Sequence, residues 1–243
     1  MVLIWAALGW IVGAALNAVT HELPRSQRLL AWPRCPHCDG LLGLSSLTLL
    51  PGERRGRCTG CGAVVLPALH SLEWPTAAMF GLLYWRFDLS PALLVYSVYA
   101  VLLLVVLAID LHHRWVYSVI CYPAILAALV LTPVVTDNIL DGVLGALLGA
   151  GIFLGLYWLG RLVYRGREPM GSGDITIAAM IGAMVGPQQV LIALFLGALV
   201  VASVSIALLI TRRARGGDFI PYGAGLCIGA LLVLLRGGGT WLS

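Results

Sequence analysis

From Pro91 to Ile109 the chain carries no charged side chain, and the second half of that run, Val101-Leu-Leu-Leu-Val-Val-Leu-Ala-Ile109, leads straight into Asp110. At a rise of about 1.5 Å per residue, such a run is long enough to cross the hydrocarbon of a bilayer as a helix. A carboxylate at that depth is costly, so it faces protein or water and reads as functional. The stretch predicts a membrane helix that ends on a working acid.

Composition sets the same class. The 243 residues are 60% hydrophobic and 11% charged, with a mean hydropathy of +0.96. Soluble domains carry about 25% charged residues, so this chain lacks the polar surface to dissolve in water, and membrane lipid is its expected surrounding. Further apolar runs are Val2 to Thr20, Pro67 to Tyr84, Val116 to Val135, Ile139 to Val163 and Tyr222 to Leu235. The run from Ile175 to Thr211 is too long for one crossing and breaks at Gly186-Pro187, where proline removes a helix hydrogen bond. The expectation is an all-α polytopic membrane protein of about eight transmembrane helices. Residues 1–20 form the first helix, 21–66 a cysteine- and arginine-bearing loop, and 67–243 a core of about seven helices. The opening run begins without positive charge, so it reads as a retained helix and not a cleaved signal peptide.

All 15 basic residues are arginine, and the net charge is +4. With eight crossings, thirteen of the fifteen arginines share a side with the cysteine loop, and only Arg86 and Arg236 fall opposite. The positive-inside rule makes the loop side cytoplasmic and places both termini outside. The arginines form no patch interleaved with aromatics, so nucleic acid is not an expected partner.

Within the loop, Cys35-Pro-His-Cys38 and Cys58-Thr-Gly-Cys61 are two CxxC pairs separated by 19 residues. Each pair chelates from a tight turn, to which Gly60 and Gly62 are suited, and four thiolates complete a tetrahedral structural zinc site. Metal-free or redox thiols are the competing reading, and a reducing cytoplasm disfavours disulfides. His37 reads as a turn residue. Cys121 and Cys227, inside apolar runs, read as small hydrophobes.

Asp174 follows Met170-Gly-Ser-Gly173 and opens the next apolar run; in the eight-helix topology it shares the cytoplasmic face with Asp110. Two carboxylates in contact cannot both ionise, so one stays protonated while the other acts as base. Such a pair activates water against a peptide carbonyl and titrates as a unit. Gly171 and Gly173 would let the backbone bend sharply beside a bound peptide. The competing readings are an N-cap role for Asp174 and a solvated surface charge for Asp110 beside His112, His113 and Arg114. The two histidines read as interfacial side chains. Glu73 either lines the active cavity or caps a helix. From other functional classes, a proton-coupled transporter would use the same carboxylates as a relay, and a non-catalytic assembly factor would keep the fold alone.

These residues carry a family resemblance. Gly171-Ser-Gly-Asp174 after Met170, the small-residue run Ile177-Ala-Ala-Met-Ile-Gly-Ala-Met-Val-Gly186, and Ala108-Ile-Asp110-Leu111 resemble the catalytic segments of bacterial type IV prepilin peptidases (prepilin leader peptidase/N-methyltransferases), which are GxGD membrane aspartyl proteases. Asn17-Ala-Val-Thr-His-Glu-Leu-Pro24, the two CxxC pairs, Leu72-Glu73 and Ile220-Pro-Tyr-Gly223 match in order. The resemblance implies that Asp110 and Asp174 are catalytic. It implies cleavage of prepilins or pseudopilins after a glycine that ends a short basic leader, at the cytoplasmic face of the inner membrane. It also implies methylation of the new N-terminus by S-adenosylmethionine, with the cysteine loop associated with that step. The chain departs from the family at Val116-Tyr-Ser118, where Leu-Pro-Asp is common. It departs also at Thr176 in place of lysine, and at His21-Glu22 in place of Tyr-Arg.

Overall fold

A computed structural model describes residues 1–26, 34–35, 37–41, 57–58, 60–63, 72–113, 118–136, 138–163, 171–211 and 222–237. Every regular element among them is helical, and they divide into two compact units, Met1–Trp85 and Arg86–Ser243. Most of the loop arginines, Met170, Ile220 and Pro221 lie outside the described residues, as do the side chains of His21, Glu22, His112 and His113.

In the first unit, α1 (Val2–Ser26) meets α2 (Glu73–Phe87) through its glycines. A Cβ at Gly9 would lie 2.7 Å from Phe80 Cβ, and one at Gly13 would lie 2.7 Å from Glu73 Cα. Only hydrogen at these positions lets the two backbones approach this closely. Where they cross, Asn17 Oδ1 accepts the Leu72 N–H at 3.2 Å, and Leu72 O accepts from the Thr76 N–H at 3.0 Å as α2 begins.

In the second unit, Ser90 precedes α3 (Pro91–His113) and its Oγ accepts the Leu93 N–H at 3.3 Å. A serine cap followed by proline at the first helical position is a strong start signal. There follow α4 (Ser118–Leu131), the single turn α5 (Pro133–Thr136), α6 (Ile139–Val163), α7 (Ser172–Val185), α8 (Val190–Ile210) and α9 (Tyr222–Arg236). The long apolar run does break at Gly186: its φ of 77° ends α7, its N–H bonds Gly182 O at 2.9 Å, and Pro187 follows. Left-handed φ at a helix end is what glycine accommodates.

Small residues set the packing here as well. Gly145 and Gly149 of α6 meet the backbone of Gly182 and Ala178 of α7, so the helices run antiparallel in close backbone contact. Gly225 and Gly229 of α9 meet Val201, Gly197 and Ala193 of α8 in the same way. A buried polar cluster joins three helices: Tyr99 Oη lies 3.0 Å from Thr132 Oγ1, which lies 2.9 Å from Ala183 O. Thr132 is also 2.7 Å from Ala128 O, so every hydroxyl in this cluster has a partner.

Three helices among the described residues are long and apolar enough to cross a membrane: Pro91–Leu111, Ile139–Val163 and Val190–Ile210. Val2–Asn17, Ile120–Thr136, Gly173–Val185 and Tyr222–Arg236 are shorter apolar helices. Their outward faces carry large apolar side chains, among them Leu126, Val130, Leu147, Phe195 and Ile210, as a lipid-facing surface requires.

Candidate active site and metal centre

Asp110 lies in the last turn of α3 and is buried, 4% exposed. The first turn of α9 points at it. Ala224 N–H donates to Asp110 Oδ2 at 2.7 Å, a short charge-assisted bond. Amide groups in a helix's first turn lack intrahelical acceptors and carry the positive end of the helix dipole, so Asp110 closes the N-terminus of α9 from another helix. Gly223 makes the approach possible. A Cβ there would stand 3.0 Å from Asp110 Oδ2 and 2.6 Å from Ile177 Cδ1.

Ile177 belongs to α7, one turn beyond Asp174, so Gly223 sits between Asp110 and the helix that carries the second aspartate. Asp174 is partly exposed, and the two carboxyls lie within electrostatic reach of each other. Tyr222, the first residue of α9, also lies within reach of Asp174 and packs its ring 6.2 Å from that of Phe153. The second unit therefore brings Asp110 and Asp174 together around the start of α9.

One alternative offered by the sequence is corrected. Asp174 is not the N-cap of α7: that position is Gly171, and Asp174 is the third residue of the helix, its N–H on Gly171 O at 3.1 Å. Gly171 is extended, at φ −68° and ψ 141°, and Gly173 is helical, conformations open to other residues. The sequence marked the start of α9 through the matching segment Ile220-Pro-Tyr-Gly223 but did not assign it as a partner of Asp110. Its signal was Pro221 one residue before the helix, where proline commonly sits at a helix start.

In the first unit the four cysteine sulfurs all lie within 4.8 Å of one another. Sγ of Cys35 is 3.7 Å from that of Cys61, and Sγ of Cys38 is 3.5 Å from that of Cys58. The two halves share one local geometry. Cys35 N–H bonds Gly40 O and Asp39 N–H bonds Cys35 O; Cys58 N–H bonds Ala63 O and Gly62 N–H bonds Cys58 O, all at 2.9 Å. The fourth residue after each leading cysteine has positive φ, 56° at Asp39 and 69° at Gly62. Backbone N–H groups two residues on point at sulfur, His37 to Cys35 at 3.5 Å and Gly60 to Cys58 at 3.4 Å. The N–H groups of Cys61 and Gly60 pull the Cys58 thiol down to about 6, which favours the thiolate that metals bind. Cys121 and Cys227 are buried in helices of the second unit, as small hydrophobes are. Glu73, whose role the sequence left open, is fully buried in the first turn of α2.

Residues 97–206 match the model of the type IV leader peptidase family, and residues 7–87 match that of the bacterial peptidase A24 N-terminal domain. The chain is 28% identical to a prepilin leader peptidase/N-methyltransferase of Stutzerimonas stutzeri, over 95% of this chain and 89% of the relative. It is 27% identical to one of Pseudomonas aeruginosa, over 95% of this chain and 88% of the relative. With one of Aeromonas hydrophila the identity is 30%, over 93% of this chain and 88% of the relative. No solved structure matches the chain.

Proposed function

Because the chain belongs to the type IV leader peptidase family, we propose that it removes the short basic leader from type IV prepilins or pseudopilins at the cytoplasmic face of the membrane and then methylates the exposed N-terminus. It is an all-α, multi-pass protein of the bacterial inner membrane and a peptidase of that family.

The meeting of Asp110 and Asp174 at the start of α9 is the observation that carries the reading. The pair shares one proton. Its ionised member takes a proton from water as the water oxygen bonds to the scissile carbonyl carbon, and its protonated member donates to the carbonyl oxygen. Collapse of the tetrahedral intermediate breaks the C–N bond, and a proton passes from the pair to the leaving amine. The Ala224 N–H supports this by fixing the Asp110 carboxylate, so that less reorganisation is needed during reaction.

Cys35, Cys38, Cys58 and Cys61 hold a structural zinc ion in this reading. Tetrahedral Zn–S bonds of about 2.3 Å separate the sulfurs by about 3.8 Å, close to the spacings of the two shorter sulfur pairs. Four thiolates leave no open position, so zinc organises the loop and takes no part in bond breaking. S-adenosylmethionine supplies the methyl group when bound.

A cleavage assay on a co-expressed prepilin, with the mass of the product N-terminus measured, tests both activities together. The expected product lacks its leader and carries one added methyl group. Normal processing by both Asp110→Asn and Asp174→Asn would falsify the peptidase assignment.

A further inference from the structure

The peptidase reading leaves two aromatic rings beside Asp174 without a task. Helices α6 and α7 run antiparallel, with Gly145 against Gly182 and Gly149 against Ala178. One further turn along that register sets Phe153 of α6 across from Asp174 of α7, because residues four apart share a helix face. Phe153 is 3% exposed. Its ring centroid lies 6.2 Å from that of Tyr222, with the two planes 53° apart. Tyr222 is half-buried and lies within electrostatic reach of Asp174, itself partly exposed. The next residue, Gly223, lies against Asp110 and Ile177. The start of α9 thus turns a glycine to one acid and an aromatic ring to the other.

Core packing accounts for the buried ring of Phe153, but not for Tyr222, which stays half-buried beside the more exposed of the two acids. Solvent reaches Asp174 and barely reaches Asp110, so a peptide meets the pair from the Asp174 side, past the Tyr222 ring. Two rings set at a tilt offer face and edge to a third apolar group. A basic side chain seated there would instead pair with Asp174 and hold it as an ion, against the proton that the two acids share. We propose that Phe153 and Tyr222 form a substrate subsite that takes the apolar side chain of a residue flanking the scissile bond. The ring pair then sets which peptides are cut. The inference deepens the proposed function and rests on its peptidase half. Either residue joined by the scissile bond can supply the side chain, and the experiment separates the two.

The test uses the full-length protein in detergent, as wild type, Tyr222→Phe, Tyr222→Ala and Phe153→Leu, acting on a purified prepilin. In one substrate series the residue after the cut is Phe, Leu, Ala or Ser; in the other the same set stands before the cut. The readout is the ratio of kcat/KM for Phe or Leu to that for Ala. A partly unfolded preparation lowers both rates alike and leaves the ratio alone, so recognition is separated from stability. Apolar pockets discriminate by about 10–200-fold, so the wild-type ratio should reach at least tenfold in one series. Tyr222→Phe should keep it, whereas Tyr222→Ala and Phe153→Leu should each cut it at least fivefold. A fall in the first series assigns the subsite to the residue after the cut, a fall in the second to the residue before it, and a fall in both to both. A ratio that either ring-removing variant keeps overturns the inference, because the rings would then only support Asp174 or the fold. Tyr222→Phe behaving like Tyr222→Ala also overturns it, since the hydroxyl and not the ring would carry the effect. A wild type that cuts prepilin with no such ratio in any series it cleaves overturns the subsite and leaves the peptidase reading standing. A wild type that cuts no prepilin overturns that reading, and this inference with it.

Discussion

The backbone N–H of Ala224 donates to Oδ2 of Asp110 at 2.7 Å, across 114 residues of sequence. One carboxylate thereby serves two purposes. It satisfies an orphan donor in the first turn of α9, and it is held beside the helix that carries Asp174. Structural and chemical roles coincide at this residue, so substitutions there must be read with a stability measurement alongside activity.

Asp110→Asn and Asp174→Asn should each lower leader cleavage by about 10²-fold or more, the range for losing a general acid or base. Asp174 is partly exposed and makes no cap, so its variant should melt close to wild type. Asp110→Asn keeps an oxygen for the Ala224 N–H and should lose only a little stability. Cleavage rates in detergent, with melting curves on the same preparations, separate the two effects.

Gly223→Val should impair cleavage more than folding. The added Cβ would stand 2.6 Å from Ile177 Cδ1 and 3.0 Å from Asp110 Oδ2, so α9 must shift away from both aspartate-bearing helices. Overpacking of this kind costs about 1–3 kcal/mol. A thermal melt should show that modest loss while the cleavage rate falls at least tenfold; a full rate would show that the approach of α9 is dispensable.

Thr132→Val keeps the shape of the side chain and removes the hydroxyl that lies 2.9 Å from Ala183 O and 3.0 Å from Tyr99 Oη. The loss expected is about 1–3 kcal/mol for stranding buried polar partners. Denaturation in mixed micelles measures it. Restoring the hydroxyl with serine should recover part of the loss.

Removing metal should unfold the cysteine loop, and acid should do the same. The Cys58 thiol falls from 9.0 to about 6 in the folded loop. Between those values the unfolded loop holds a proton that the folded loop does not, so folding gains with rising pH. That gain is lost as pH falls through about 6, while the neighbouring Cys38 thiol is pushed the other way, up to about 12, so it titrates outside this range. Release of zinc to a chromophoric chelator between pH 8 and 5, with protease susceptibility of the loop followed in parallel, should show the loss on the acid side. Cys58→Ser should release zinc at neutral pH.

The relation between sequence and structure differs from element to element. Helix α6 spans Ile139–Val163, the same limits as its apolar run, because hydrophobicity and length alone define a membrane helix. The break at Gly186-Pro187 was legible for a local reason, a missing N–H and a residue free to take φ of 77°. The four-cysteine cluster was legible in its spacing, since CxxC is itself a local chelating turn. The capping of α7 was not legible: Asp174 carries the residue type of an N-cap, yet Gly171 holds that position, because the packing of the helix and not residue type sets where it begins.

By itself the sequence determined what each segment is: apolar helices, two chelating turns, and two acids at helix ends. Those properties depend on neighbours within a few residues and on the solvent the segment prefers. Only the tertiary structure decided what the acids meet. The packing of α9 against α3 and α7 depends on glycines far apart in the chain, and it places the Ala224 amide on Asp110 beside Asp174. It likewise set Asn17 against the start of α2. Such meetings arise from side-chain volumes fitting across helices, and no local pattern in the chain encodes them.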